Sequence, residues 1–412
     1  MKHSLRNACT FIVALAALTA MGACSRDTST TTIPRQQLFT LGYGPAEDQI
    51  NLFQVEGSDG SQKTRMTMRD GVFYISNGPA GKVLRVSSYG DILSIIYDPS
   101  RNSGQAIKQG KFGGSSGRVA TAWPLSAPGE IAVDSKGSIY VEDRMPKDRW
   151  VNDQASGSLF DNAVLRFDKD GNFRDYLGQE GVGGTPFPYI LGIYTTASDD
   201  VVVISLMQDS WLIHWFEPSG SLRNSLKIPR DALPRLPGDD GFLASLVKIV
   251  PDATGTAVIL QVDYSREIVD PQTKSRSGID YAGSWLYRMD LVKGTVTDRW
   301  EIPPLEESAS SADQSTGAAR YPLVPELLGA AGDRFFFVSI DDKSRTSIAI
   351  LNRTNKGMER YPIDIGTDEL FFNTMSLSAD GVISALLGTK YEARVVWWRF
   401  DRLGRQDVGA QR

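Results

Sequence analysis

The chain is nearly devoid of cysteine and histidine. Its 412 residues include two of each: Cys9 and Cys24, His3 and His214. Both cysteines fall in the first 24 residues, so everything after them lacks a thiol. That excludes Cys–His nucleophilic catalysis, thiolate metal sites and any disulfide in the later chain. Multi-histidine metal sites fail on the same count. A basic excess is also missing: 44 Lys and Arg against 49 Asp and Glu leave a net charge of −5, which argues against a nucleic-acid partner. The apolar run at 11–20 is shorter than the roughly 20 residues that a spanning helix needs. The glycine clusters at 113–117 and 181–184 open no helix after a strand, so neither is a phosphate cradle.

What is present is ordinary globular composition, 41% hydrophobic and 23% charged, with enough chain for a large core. The start reads as a targeting segment: Lys2 and Arg6, then the short apolar run, then Met21-Gly22-Ala23-Cys24. This tetrad resembles a bacterial lipobox, with Met where Leu is usual. The resemblance implies cleavage before Cys24, diacylation of its thiol and loss of Cys9 with the signal. The expected organisation is a signal peptide at 1–23, a lipidated Thr/Ser-rich tether at 24–35 and a single domain at 36–412, anchored to a membrane of the bacterial cell envelope. Which membrane is left open.

The domain reads as a repeat of four short apolar or β-branched runs joined by tight turns. It is clearest at 129–173 and again at 193–228, where Asp168-Lys169-Asp170-Gly171 and Glu217-Pro218-Ser219-Gly220 place Gly for a positive φ. A repeated four-strand unit is a propeller blade, so the predicted fold is all-β, a six-bladed β-propeller with four antiparallel strands per blade. Labelled a to d from the axis outward, the first blade is predicted at 64–68, 72–76, 82–87 and 92–96. The fourth is predicted at 245–250, 256–263, 284–290 and 296–302. The fifth covers 327–331, 334–340, 346–351 and 358–362. The sixth has only three strands, 374–378, 382–387 and 394–400, and its outer strand is predicted from the N-terminus at 37–41, closing the ring.

The stretches 129–141 and 164–168, an apolar run, Asp, a small-residue turn, Ile-Tyr-Val and then apolar-Phe-Asp, resemble an NHL-type propeller repeat. With the lipobox, the chain is similar to predicted propeller lipoproteins of bacteria, spirochaetes among them. The resemblance implies a fold and an envelope location and no reaction.

Function is sought where the chain is longest between strands. The predicted a–b and c–d joins are all short. The long ones are b–c, at 144–161 and 265–283, or d–a, and both kinds emerge at the same end of the ring, here called the top. Long loops on a rigid scaffold are where binding residues gather. Two loop patches combine cations with aromatics: Arg144, Lys147, Arg149 and Trp150, and Arg266, Lys274, Arg276 and Tyr281. Glu130 and Asn373, at the top ends of a strands, are the positions for a divalent cation such as calcium in the axial channel; Glu142 and Asp143 either join them or start a loop. His214, in a c strand, reads as packing rather than a base, and Trp397-Trp398 and Phe335-Phe336-Phe337 read as core. Three readings stand: a non-catalytic scaffold or ligand-binding module whose top face engages a protein, a peptide or cell-wall material; a metal-dependent lactonase-like or other hydrolase; and a structural subunit of an envelope complex.

Overall fold

The computed structural model describes residues 32–403 except 45, 54–61, 103–118, 179–183, 237–240, 254, 306–322, 342 and 367–369. Cys24 with its signal and most of the tether, the glycines at 113–117 and 181–183, and the tail from 404 lie outside the described residues. Strands β1 (Gln36–Tyr43) and β2 (Gln49–Ile50) come first in the chain but belong to the last blade. Blade 1 is β3 (Thr64–Arg69), β4 (Val72–Asn77), β5 (Lys82–Ser87) and β6 (Ile92–Tyr97), with β7 (Val119–Ala122) added parallel to β6. Blade 2 is β8 (Ile131–Val133) and β9 (Ile139–Arg144), an inserted hairpin β10 (Val151–Asp153) and β11 (Ser158–Phe160), then β12 (Asn162–Phe167) and β13 (Phe173–Tyr176). Blade 3 is β14 (Tyr189–Thr195), β15 (Val201–Leu206), β16 (Ser210–Phe216) and β17 (Leu222–Pro229). Blade 4 is β18 (Leu243–Pro251), β19 (Ala257–Val269), β20 (Arg276–Asp290) and β21 (Thr295–Ile302). Blade 5 is β22 (Glu326–Ala331), β23 (Arg334–Ile340), β24 (Thr346–Asn352) and β25 (Met358–Ile363). Blade 6 is β26 (Phe372–Leu377), β27 (Ile383–Gly388) and β28 (Ala393–Trp398), completed by β1.

The six-bladed reading therefore holds, and so does the closure. β1 pairs antiparallel with β28 from Gln36↔Trp397 to Leu41↔Ala393, so the last blade takes its outer strand from the start of the domain. The predicted turn glycines are in place, Gly171 at φ 86° and Gly220 at φ 96°.

Period-2 alternation sends successive side chains of each strand to opposite neighbouring blades. Phe335 and Phe337 of β23 pack against blade 4, and Phe336 packs against blade 6. Trp398 fills the interface of blades 5 and 6, while Trp397 packs between blades 6 and 1. Six hydrophobic clusters result, one per blade interface.

Three sequence expectations need correction. The stretch 265–283 is not a loop: β19 and β20 run on past the blade as a hairpin, pairing down to Val269↔Arg276. The stretch 144–161 likewise holds a short hairpin. In blade 3 the innermost strand starts at Tyr189 rather than Ile193. Its alternation was masked by a bulge between Ile190 and Gly192, and the same bulge recurs between Leu246 and Lys248 and between Leu327 and Gly329.

Ring closure puts Leu41 in the core, 2% exposed, against blades 6 and 1. Leu41→Ala is expected to cost about 2–5 kcal/mol in urea unfolding, the range for a buried leucine truncation. A loss under about 0.5 kcal/mol would mean that the β1–β28 pairing does not hold the ring.

Candidate ligand-binding channel and top face

The innermost strands surround a channel with a cavity volume of about 900 Å3. Its lining includes, on or just before each of these strands, Arg65, Glu130, Gly192, Lys248, Glu326 and Asn373 in ring order. Arg65 Nε donates to Glu130 Oε1 at 2.8 Å, and Lys248 Nζ lies 3.5 Å from Glu326 Oε1. Blades 1 and 4 face each other across a six-membered ring, as do blades 2 and 5, so the two ion pairs stand on opposite walls.

Behind the first pair sits a buried clamp. Lys63 Nζ donates to both oxygens of Glu142 at 2.9 Å and to the Ile190 carbonyl at 2.6 Å, which uses all three of its protons. Its ammonium also lies 4.3 Å from the centre of the Tyr189 ring. Lys63 precedes blade 1, Glu142 is on blade 2 and Ile190 on blade 3, so one lysine ties three blades. Glu142 Oε2 also accepts the Glu130 N–H at 2.8 Å. The carboxylate lies so close to Gly129 that a Cβ there would meet it at 2.3 Å, which is why the position is glycine. Burial pushes the Glu142 carboxyl up, against the pull of Lys63.

Asp143 faces the other way. It is buried and accepts the N–H groups of Ala127 at 2.6 Å and Ser126 at 3.1 Å, fixing the connection into blade 2. Burial pushes it up to about 7, with those backbone donors acting in the opposite sense. Glu142 thus secures a blade interface and Asp143 the connection that enters blade 2.

Tyr194 completes the channel wall. Its ring covers Gly192, where a Cβ would meet the hydroxyl oxygen at 2.8 Å. Burial, then the charges of Glu130 and Glu326, raise its pKa, and its hydroxyl has no hydrogen-bond partner among the described residues. Leu191 and Leu328, the extra residues of two bulges, also line the wall.

Of the two metal positions, Glu130 is held by Arg65 and lies 3.8 Å from Lys63. Asn373 lines the same channel two blades away around the ring. Among the described residues no group of three His, Cys, Asp or Glu converges for a metal.

On the top face, the first patch does assemble. Arg144 is bidentate on Asp161 Oδ2, with both nitrogens at 3.0 Å, and stacks 4.7 Å over the Trp150 ring, whose Nε1 donates to the Met145 carbonyl at 2.8 Å. Arg149 turns outward, 5.2 Å over Tyr176. The second patch spreads along the extended hairpin: Arg266 lies 4.5 Å over Phe242, Arg276 pairs with Glu267 at 3.0 Å, and the Tyr281 hydroxyl donates to Ser284 Oγ at 2.9 Å. Apart from Lys274, each cation or aromatic singled out in the sequence therefore already has an intramolecular side-chain contact. His214 is a packing residue, between Phe187 and Phe216, and burial pushes it down to about 4.

Sequence reading missed Lys63, Arg65, Tyr194, Lys248 and Glu326. Setting the starts of the six innermost strands side by side would have found Arg65 and Glu326 beside Glu130. The bulges displace Tyr194 and Lys248 from any such alignment.

No protein-family model matches the chain, and no curated protein matches it. Among solved structures it is similar to the propeller of Dos1, at 7% identity and a TM-score of 0.36, covering 89% of this chain and 95% of that one. It is also similar to the β-propeller domain of the Trilobed protease from Pyrococcus furiosus, at 6% identity and a TM-score of 0.40, covering 82% and 96%. A third is a protein of unknown function from Bacteroides caccae, at 10% identity and a TM-score of 0.35, covering 80% and 94%.

Two outcomes test the clamp. Glu142→Gln leaves a buried ammonium without its counter-charge and is expected to cost about 3–5 kcal/mol in urea unfolding, whereas Lys63→Met with Glu142→Leu recovers most of that loss. Equal losses in the single and double variants would remove the clamp's role. For Asp143, a folded pKa near 7 against an ordinary value of 3.8 means that the folded chain holds a proton that the unfolded chain has released. This group's contribution to stability is then complete below pH 4 and falls as pH rises towards 7. Asp143→Asn is expected to flatten that slope in melting temperature between pH 4.5 and 7.5; parallel curves for the two proteins would contradict it.

Proposed function

We propose that the protein is a non-catalytic binding module of the bacterial envelope, held to a membrane by a lipid on Cys24 and engaging a protein, peptide or cell-wall ligand through its top face. One observation carries the reading. Of the seventeen large hydrophobic side chains exposed among the described residues, twelve lie at the end of the ring where b–c and d–a connections emerge, four at the other end and one, Val247, mid-strand. Ile268, Val269 and Ile279 on the extended hairpin, Val151 and Leu159 on the blade 2 hairpin, and Phe53 stacked 5.2 Å from Phe371 are the main groups. Exposed apolar groups concentrated on one face, among polar neighbours, mark interaction surfaces.

The chain direction fits an anchor. β1 is antiparallel to β28 and runs from the bottom at Gln36 to the top at Tyr43. The domain's first strand therefore begins at the end opposite the one where the exposed apolar groups gather.

The test uses the shortest change that the register allows. Ser265 pairs with Tyr281, so replacing 266–280 by Asn-Gly leaves a two-residue hairpin on an intact blade. Crosslinking capture from the native envelope with the intact and shortened chains should give a partner that the shortened chain loses at an unchanged melting temperature. Capture of the same partner by both chains would take recognition away from this hairpin and count against the reading.

A further inference from the structure

We propose that the mouth of the axial channel is a second, smaller binding site, built for a free α-amino acid with an apolar side chain. Four observations meet there. The charged groups at this mouth are two cations, Arg65 and Lys248, and two carboxylates, Glu130 and Glu326, joined as one ion pair on each of two opposite walls, while Arg69, Asp70, Asp252 and Asp380 line the other end of the cavity. A zwitterion can engage both ends of one such pair without leaving a net charge in a confined space. The groups are not all consumed by each other. Lys248 has one partner, at 3.5 Å, and offers further protons, and the Glu326 side chain is 56% exposed. Tyr194 lines the cavity and its hydroxyl has no partner among the described residues, so a ligand oxygen within reach would give it an acceptor.

The fourth observation sets the side chain. Three innermost strands carry one extra residue at a bulge, Leu191, Val247 and Leu328, and two of these, Leu191 and Leu328, line the channel. Bulges re-aim side chains, and here they place apolar surface on blades 3 and 5, on either side of Lys248. A carboxylate held by Lys248 and Tyr194, an ammonium on Glu326 and an apolar arm against these leucines use the groups of this wall. The site is separate from the top-face hairpins and does not rest on their role.

Isothermal calorimetry on the full chain tests this, with glycine and both enantiomers of alanine, leucine and methionine as probes, and acetate and propylamine as the two halves of the charge pattern. The expected result is saturable binding of at least one apolar amino acid, with glycine and each half-ligand at least about tenfold weaker. Lys248→Met and Tyr194→Phe should each weaken that binding by about fivefold or more with the melting temperature unchanged. Lys248 is one-third exposed, and Glu326→Gln, on a side chain more exposed still, serves as a third variant should either of the others fail to fold. Absence of binding by every amino acid at about 10 mM, equal binding of acetate or propylamine, or binding unaffected in the folded variants would each overturn the proposal.

Discussion

A buried ammonium must find three acceptors or lose its charge, and Lys63 finds them on two other blades. That requirement fixes much of the surrounding structure. Glu142 must stand at the top of β9 with its carboxylate turned inward, Gly129 must lack a side chain, and Ile190 must offer its carbonyl from the start of the first strand of blade 3. Glu130, whose N–H is held by the same carboxylate, is thereby set on the channel wall where Arg65 reaches it. Hydrophobic burial assembles the blades pairwise and tolerates some sliding, since apolar contact is not directional. The clamp is directional, and it sets three blades in register where the channel opens. Elsewhere the same task falls to neutral amides: Gln261 bridges blade 4 to the entry of blade 5, and Asn77 holds the entry to blade 1.

The fold was legible because blades are built from local signals. Alternating apolar residues, a glycine at each tight turn and a missing outer strand in the last blade are all visible along the chain. What escaped was set by tertiary context. β7 and β2 are short strands that pair only because an edge is offered to them. The hairpin at 265–283 reads as a loop because solvent wets both its faces, which removes the alternation that marks a half-buried strand. The bulges cost more, because each reverses the inward and outward sense of the residues before it.

The candidate site was less legible for a related reason. Arg65, Lys248 and Glu326 look like ordinary polar positions on the outer face of a strand. Only the closed ring turns that face inward, and only the closed ring sets blade 1 against blade 4. The top-face residues were visible as types, cations beside aromatics, and most have found each other: Arg144 with Trp150, Arg266 with Phe242, Arg276 with Glu267. Their exposed apolar neighbours, which composition alone does not single out, are the feature that the folded chain adds.

The closing strand also has a mechanical side. β1 enters at the bottom of the ring and runs straight to the top, paired with β28 at five positions between Gln36 and Leu41. Tension between the start of the domain and a load on the top face acts along that strand, across hydrogen bonds that lie perpendicular to it. Such a pull shears all the pairs at once rather than peeling them singly. The seam that completes the propeller is therefore oriented to resist a pull between the start of the domain and its top face.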